Sequence, residues 1–356
     1  MRLILPLAAR GVPLALLLLA ACDAAAPDGG TPPGVTPPVG TPGGVVMQTV
    51  AGYPVRVDSL WGFMDVEGRL VSEPRFDYAD EVYGGLAAVR RGTQWGYARP
   101  DGRLAIDPAY RAAGRFTGPL APVRTEAGWG YVDAAGTLVV APAYDAAAEM
   151  SGGLAAVRRG VLWGYVDAAG ALAVEPQFAA AGPFVAGLAP VQTADGWRYV
   201  TPTGAFAFGT TFGEARPFSD VGLAPVREAG SEAWKFVDAA GVIVLNTAYE
   251  NAEAFAEGFA RVEQDDRTGL IGRDGAFLVV PKLGEAGPFS EGLAAARFNN
   301  RWTYVRRSDG LVVASPLFSS AGPFRGGLAQ VTTGQGDNLR TGYVDPTGRF
   351  VWEPSR

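Results

Sequence analysis

Apolar residues in this chain come in short runs, and glycine or proline interrupts each run before it reaches helical length. Around Trp129 the order is Trp-Gly-Tyr-Val-Asp, then Ala-Ala-Gly, then Thr-Leu-Val-Val-Ala-Pro. That pattern predicts short strands joined by tight turns rather than amphipathic helices. A third run, Leu-Ala-Ala-Val-Arg from Leu154, ends in a short turn that leads into the next Trp-Gly pair. Between the second and third runs lies a connector such as the stretch from Phe178 to Phe184, whose two aromatics are placed to fold inward and seal neighbouring units.

The pattern repeats with a fixed step. Trp61, Trp95, Trp129, Trp163 and Trp197 stand 34 residues apart; Trp234, Thr268, Trp302 and Thr341 continue the series at steps of 37, 34, 34 and 39. A second landmark, Gly-Leu-Ala, recurs at Gly85, Gly153, Gly187, Gly222, Gly292 and Gly327, with Gly-Phe-Ala at Gly258 and Pro-Leu-Ala at Pro119. A 34-residue period also belongs to helical arrays, but the strand pattern excludes that class here. Each unit is then a small antiparallel piece that cannot bury its own apolar side, and stacking of neighbours supplies the core. The glycine after tryptophan allows close backbone approach. Asp65, Asp133, Asp167, Asp238 and Asp345, each three residues before a glycine, suit a hairpin turn in which aspartate accepts backbone hydrogen bonds and glycine takes a positive φ. One carboxylate per unit does not build an oxygen cage, so no metal is expected.

With Trp61-Gly62, Trp95-Gly96, Trp129-Gly130 and Trp163-Gly164 in view, the chain resembles the bacterial WG-repeat family. The resemblance implies a β-rich repeat found in exported proteins, with no common enzymatic activity and no catalytic residues to carry over. It weakens at Trp197-Arg198, Trp234-Lys235, Thr268-Gly269, Trp302-Thr303 and Thr341-Gly342, where part of the pair is lost. Loss of tryptophan at Thr268 and Thr341 predicts looser packing, and insertions near Ser231 and at 334–338 predict longer loops.

The ends of the repeat array fit together. The last unit stops after two strands, while an extra strand around Gly52, Pro54 and Arg56 precedes Trp61. Joined in one composite unit beside eight full ones, they would close a β-propeller-like ring and remove exposed edges. An open β-superhelix capped by the half units is the alternative. The expected fold class is thus all-β, with tandem three-stranded repeats over 45–356.

Ahead of that domain, residues 1–21 read as an export signal, with Arg2 and Arg10 before an apolar segment too short to span a bilayer as a helix. Its end, Leu19-Ala20-Ala21-Cys22, resembles a lipobox and contains the only cysteine of the chain, which implies lipid attachment at Cys22. Acyl chains contribute about 0.8 kcal/mol per buried methylene, enough in combination to hold a domain on a membrane without a spanning helix. Residues 22–44, rich in Pro, Gly and Thr, read as a tether. At roughly 3.1 Å per residue where proline holds it extended, it reaches up to about 60 Å. The expected location is the cell membrane or outer membrane, on the exported side.

Chemistry is sparse. No histidine exists to act near neutral pH, and no cofactor motif stands out. Glu263, Asp265 and Asp266 are the one dense acidic group. They fall at an expected hairpin tip, where solvated charge is a better account than a carboxylate hydrolase. Binding is the favoured role, because the segments between the Leu-Ala-Ala-Val-Arg run and the next unit vary on a constant frame. The candidate partner-binding residues are Arg91, Gln94, Glu126, Glu232, Asp265, Asp266, Asn299, Asn300 and Arg301. The expected ligand is a protein or glycan of the envelope, with a purely structural envelope role as the alternative. Arg90, Arg124, Arg158, Arg227 and Arg297 recur at one repeat position, where local pairing with acids is preferred over a basic ladder. A net charge of −6 and a pI near 5.0 argue against nucleic acid.

Overall fold

The computed structural model describes residues 52–313 and 318–355; the segments expected to be an export signal and a tether, and Cys22 between them, lie outside the described residues. The described residues form nine antiparallel sheets, eight of three or four strands and one of two, in a β-propeller arrangement. We call the sheets blades and number them along the chain. The fourth blade shows the plan, with strands Ala146–Ala147, Leu154–Arg159, Leu162–Asp167 and Leu172–Phe178 bonded in that order. These are its crossing strand, second strand, Trp-Gly strand and fourth strand.

The second and Trp-Gly strands are buried along four consecutive residues, at 154–157 and 163–166. Neighbouring blades cover both faces, so the sequence shows continuous apolar runs there instead of the alternation of a half-exposed sheet. Leu154 pairs with Asp167 and Arg158 with Trp163 across the hairpin. Each sheet therefore joins the Leu-Ala-Ala-Val-Arg run of one sequence unit to the Trp-Gly run of the next, so blades straddle the units counted from tryptophan.

The glycine of the pair works as expected. A Cβ on Gly164 would press into the carbonyl of Val174 and lie 2.7 Å from the nitrogen of Pro176. The fourth strand bulges at that point, between Val174 and Phe178, and proline suits a bulge because it has no N–H to leave unpaired. Close approach buries the middle of the fourth strand, as at Ile106, Val140, Val174 and Val279. The Asp-x-x-Gly element is the turn the sequence suggests: Asp133 Oδ1 accepts from the amides of Ala135 and Thr137 at 2.9 and 2.8 Å, and Gly136 has φ +84°.

Blades are latched by tyrosine. The Tyr165 hydroxyl donates to Gly182 O at 2.8 Å in the next blade, and its ring meets Phe184 edge-on at 4.7 Å. Tyr97 and Phe116, Tyr199 and Phe218, and Tyr304 and Phe324 repeat that contact, each with a hydroxyl bond to the next blade. The connector aromatics thus do seal neighbouring units. Desolvation by burial raises the hydroxyls of Tyr97, Tyr165, Tyr199 and Tyr304 well above the usual tyrosine value.

The ends close the ring by a route different from a shared sheet. Tyr53–Val57 pairs with its own Leu60–Met64, and the C-terminal Arg340–Val344 and Phe350–Ser355 pair onward from Leu328–Thr333. The expectation of a composite unit is corrected here: a tight hairpin costs far less loop-closure entropy than a pairing between chain ends, so each second strand takes the adjacent Trp-Gly strand. First and ninth blades meet face to face instead. Tyr53, Val55, Met64, Leu328 and Tyr343 form one apolar cluster, and the Tyr53 and Tyr343 rings lie 5.6 Å apart. The Tyr343 hydroxyl donates to Pro54 O at 2.9 Å, and Tyr53 to Gly326 O at 2.5 Å. Arg325 of the ninth blade reaches past the first, which has no crossing strand among the described residues, to Glu81 of the second at 3.2 Å.

Packing survives the loss of tryptophan at Thr268. That side chain is 2% exposed, its fourth strand Phe277–Leu283 is complete, and Leu270, Val279 and Leu283 stay buried with Phe259 and Phe298 packed against them. Apolar side chains from the neighbouring blade supply the bulk.

Candidate functional site

All the variable segments are turns between a second strand and a Trp-Gly strand, so the repeat carries them to one face of the ring. In the second, third, fourth and seventh blades the tip is contacted by the side chain of the residue that follows the fourth-strand aromatic, at the start of the crossing strand. Ala179, Gly213 and Gly284 stand at that position in the fifth, sixth and eighth blades. Asp77 accepts from the Gly92 amide at 2.5 Å, Asp145 from Gly160 at 2.6 Å, and the Glu250 carboxylate from Asp265 and Asp266 at 3.1 and 3.0 Å. At the third blade Arg111 reaches the tip through an exposed ion pair with Glu126 at 2.6 Å. These anchors were missed in the sequence, although their position after Phe76, Tyr144, Tyr249 and Tyr110 is regular.

The nine candidate residues are distributed over five blades rather than gathered into one cluster. Arg91 and Gln94 pair across the tip of the second blade, with the Arg91 guanidinium 5.1 Å above the Phe76 ring. Glu126 stands at the tip of the third. Glu232 lies in the longer loop of the sixth and is 2.9 Å from Arg227. Asp265 and Asp266 occupy the turn of the seventh with φ of 53° and 55°, and Asn299 and Asn300 that of the eighth with 47° and 64°. Aspartate and asparagine tolerate that left-handed backbone better than other side chains. Arg301 is exposed beside them. The insertion at 334–338 becomes a short 3₁₀ turn, Gly336–Asn338.

At the third blade the tip and the start of the crossing strand enclose a polar hollow of about 250 Å³, lined by Arg111, Arg124, Glu126, Trp129, Tyr144 and Asp145. It offers both signs of charge and hydrogen-bonding edges. Asp265 and Asp266 are the two central residues of one turn, with their amides bound by Glu250, so they do not face each other across a substrate cleft. Among the described residues no three metal-ligating side chains come together. Of the recurrent arginines, Arg227 pairs with Glu214 at 2.9 Å and Arg297 with Glu285 at 3.5 Å, both acids on crossing strands, and Arg158 lies 5.7 Å above Trp163. The arrangement fits recognition by rigid tips.

A family model described as a WG containing repeat matches seven segments, 61–92, 95–127, 129–160, 163–197, 236–267, 269–302 and 304–335. No curated protein matches the sequence. Among solved structures, the chain is similar to a eukaryotic initiation factor with a TM-score of 0.63 at 10% identity, over 85% of this chain and 95% of that one. It is also similar to dihydro-heme d1 dehydrogenase NirN in complex with DHE, with a TM-score of 0.44 at 11% identity, over 78% of this chain and 75% of that one. Hsv2p of Kluyveromyces lactis gives 0.41 at 10% identity, over 73% and 95%. The first likeness is one of fold alone.

Proposed function

This chain belongs to the WG containing repeat family, and from that premise we propose that it is a non-catalytic binding scaffold whose tip face recognises a protein or glycan partner. The observation that carries this reading is that side chains at one repeat position contact the chemically different tips of the second, third, fourth and seventh blades, while the tips of the seventh and eighth are tight left-handed turns. Turns already fixed in place lose little conformational freedom on binding, which is what a recognition surface on a rigid array requires. We further propose that the protein is exported and held at the cell membrane or outer membrane by a lipid on Cys22, with 22–44 as tether. The support for that is the sequence Leu19-Ala20-Ala21-Cys22 and the composition that follows it.

The test is capture from an envelope extract by full-length protein, compared with a variant carrying Asn299→Gly, Asn300→Gly and Arg301→Ala. Glycine keeps the left-handed turn at 299 and 300, so the fold is retained while the side chains are removed. One partner captured by the native protein and lost with the variant is the expected result. Equal capture by both, or none, would assign the protein a structural role instead.

A further inference from the structure

On the face opposite the tips, two-residue turns join crossing strands to second strands, and six of them share one backbone conformation. Their central residues have φ of 56° and 82° at Gly84 and Gly85, 59° and 83° at Gly152 and Gly153, and 50° and 80° at Ala186 and Gly187. The values are 49° and 86° at Glu257 and Gly258, 54° and 80° at Glu291 and Gly292, and 59° and 94° at Gly326 and Gly327. Consecutive left-handed residues aim their two N–H groups to the same side, making a concave donor pair suited to an anion.

Among the described residues two of these donor pairs are occupied, both by a carboxylate from the preceding blade. Glu257 accepts from the amides of Glu291 and Gly292 through its two oxygens, at 2.5 and 2.8 Å. Glu291 does the same to Gly326 and Gly327 at 2.5 and 2.9 Å. The turn conformation is therefore a two-point carboxylate receptor, filled twice in the same way.

The turns of the fourth and fifth blades have the same conformation and no such acid one blade back, because Gly118 and Gly152 stand where Glu257 and Glu291 stand. Gly153 and Gly187 are exposed, whereas Gly292 and Gly327 are half-buried. We propose that the adjacent turns Gly152-Gly153 and Ala186-Gly187 receive two carboxylates of an acidic peptide segment from a partner protein. One glutamate side chain with its hydrogen bonds spans the step between neighbouring turns. An extended peptide places alternate side chains about 7 Å apart on one side, the scale of that step. Backbone donors of this kind are a known means of capturing peptide carboxylates. One exposed pair binds weakly on its own, so engagement of both turns by one segment supplies the affinity. This site lies on the face away from the tips and stands or falls separately from them.

The test is amide NMR of the ¹⁵N-labelled full-length protein titrated with the peptide Thr-Glu-Thr-Glu-Thr, and in parallel with Thr-Gln-Thr-Gln-Thr. Saturable shifts at Gly153 and Gly187, at least tenfold weaker with the glutamine peptide, and no response at Gly292 and Gly327, are expected. Glu291→Ala should make Gly326 and Gly327 responsive as well. If that variant does not fold, the native titration decides alone. No saturable shift, equal response to both peptides, or shifts confined to the tips would overturn the proposal.

Discussion

The fourth and fifth blades follow each other in the chain and share a tryptophan, yet only one keeps a complete fourth strand. In the fourth, Gly164 lets Leu172–Phe178 come close, and Val174 is 4% exposed. In the fifth, whose strands are Ala180–Ala181, Ala189–Thr193 and Gly196–Val200, Arg198 replaces glycine. There the fourth strand is reduced to isolated bridges of Phe206 to Val200 and Phe212 to Trp197. The Arg198 guanidinium lies 3.6 Å over the Phe206 ring, and Phe208 remains half-buried. The sixth blade falls between them: Lys235 replaces glycine, Ile243–Tyr249 persists as a strand, but Leu245 is only half-buried. Tryptophan and glycine therefore have separate jobs, one filling the junction and the other permitting close approach of the fourth strand. Glycine does not by itself complete that strand, since the first blade keeps Gly62 and its fourth strand is reduced to the bridges of Trp61 to Phe76 and Met64 to Leu70. The latch between blades is independent of both, since Tyr165 and Tyr199 each donate a hydroxyl bond to the next blade.

Raising the pH should break what the two blades share, and this is the largest effect expected. Burial holds Tyr97, Tyr131, Tyr165, Tyr199, Tyr304 and Tyr343 neutral in the folded state. A raised folded pKa means that the stabilisation is fully present below the unfolded value near pH 10 and is lost as pH rises above it. Each such tyrosine should cost about 1.4 kcal/mol per pH unit in that window. Denaturant midpoints measured from pH 8 to 12 should stay level and then fall steeply above about pH 10. A flat profile would mean that the hydroxyls are not buried.

Gly164→Val should break the fourth blade alone. The side chain would be forced against the carbonyl of Val174 and the Pro176 nitrogen, and overpacking against backbone costs about 3 kcal/mol. Arg198→Val, where a side chain already fits, should cost less than about 1 kcal/mol. Equal losses in thermal melts of the two variants would show that glycine after tryptophan has no packing role.

Much of this architecture was legible in the sequence because it is repeated. The strand runs, the Asp-x-x-Gly turns and the sealing aromatics are local patterns that a 34-residue period displays several times over. The grouping of strands into blades was not, since a period counted from tryptophan begins inside the hairpin, whose first strand belongs to the preceding unit. The strand from Tyr53 was accordingly matched to the wrong partners, whereas its turn at Asp58 settles the pairing. The tips could be found as variable segments, but not their anchors, because Asp77 and Asp145 sit 15 residues before the amides they bind. The donor pairs at Gly153 and Gly187 were visible only as a landmark sequence, since their chemistry lies in backbone conformation.

One signal that was present and unread is a second partner for the glycine. Pro74, Pro108, Pro142, Pro176 and Pro281 each stand 13 residues after the position of tryptophan, in blades that keep glycine; at Arg198 and Lys235 the matching residues are Thr210 and Thr247. Glycine makes room for the bulge, and proline fits the bulge without an unpaired N–H, so the two should be coupled energetically. Installing them in the fifth blade is the sharpest form of the comparison and has the smallest expected effect. Arg198→Gly alone should lose about 1 kcal/mol through backbone entropy and the lost ring contact. Thr210→Pro added to it should recover roughly 0.5–1 kcal/mol by restricting the unfolded chain in a conformation the bulge accepts. The same proline beside an intact Arg198 should give no gain, because the arginine keeps the strand away from bulge geometry. A thermodynamic cycle over the four proteins reads the coupling directly, and additive changes would show that glycine and proline recur together for unrelated reasons.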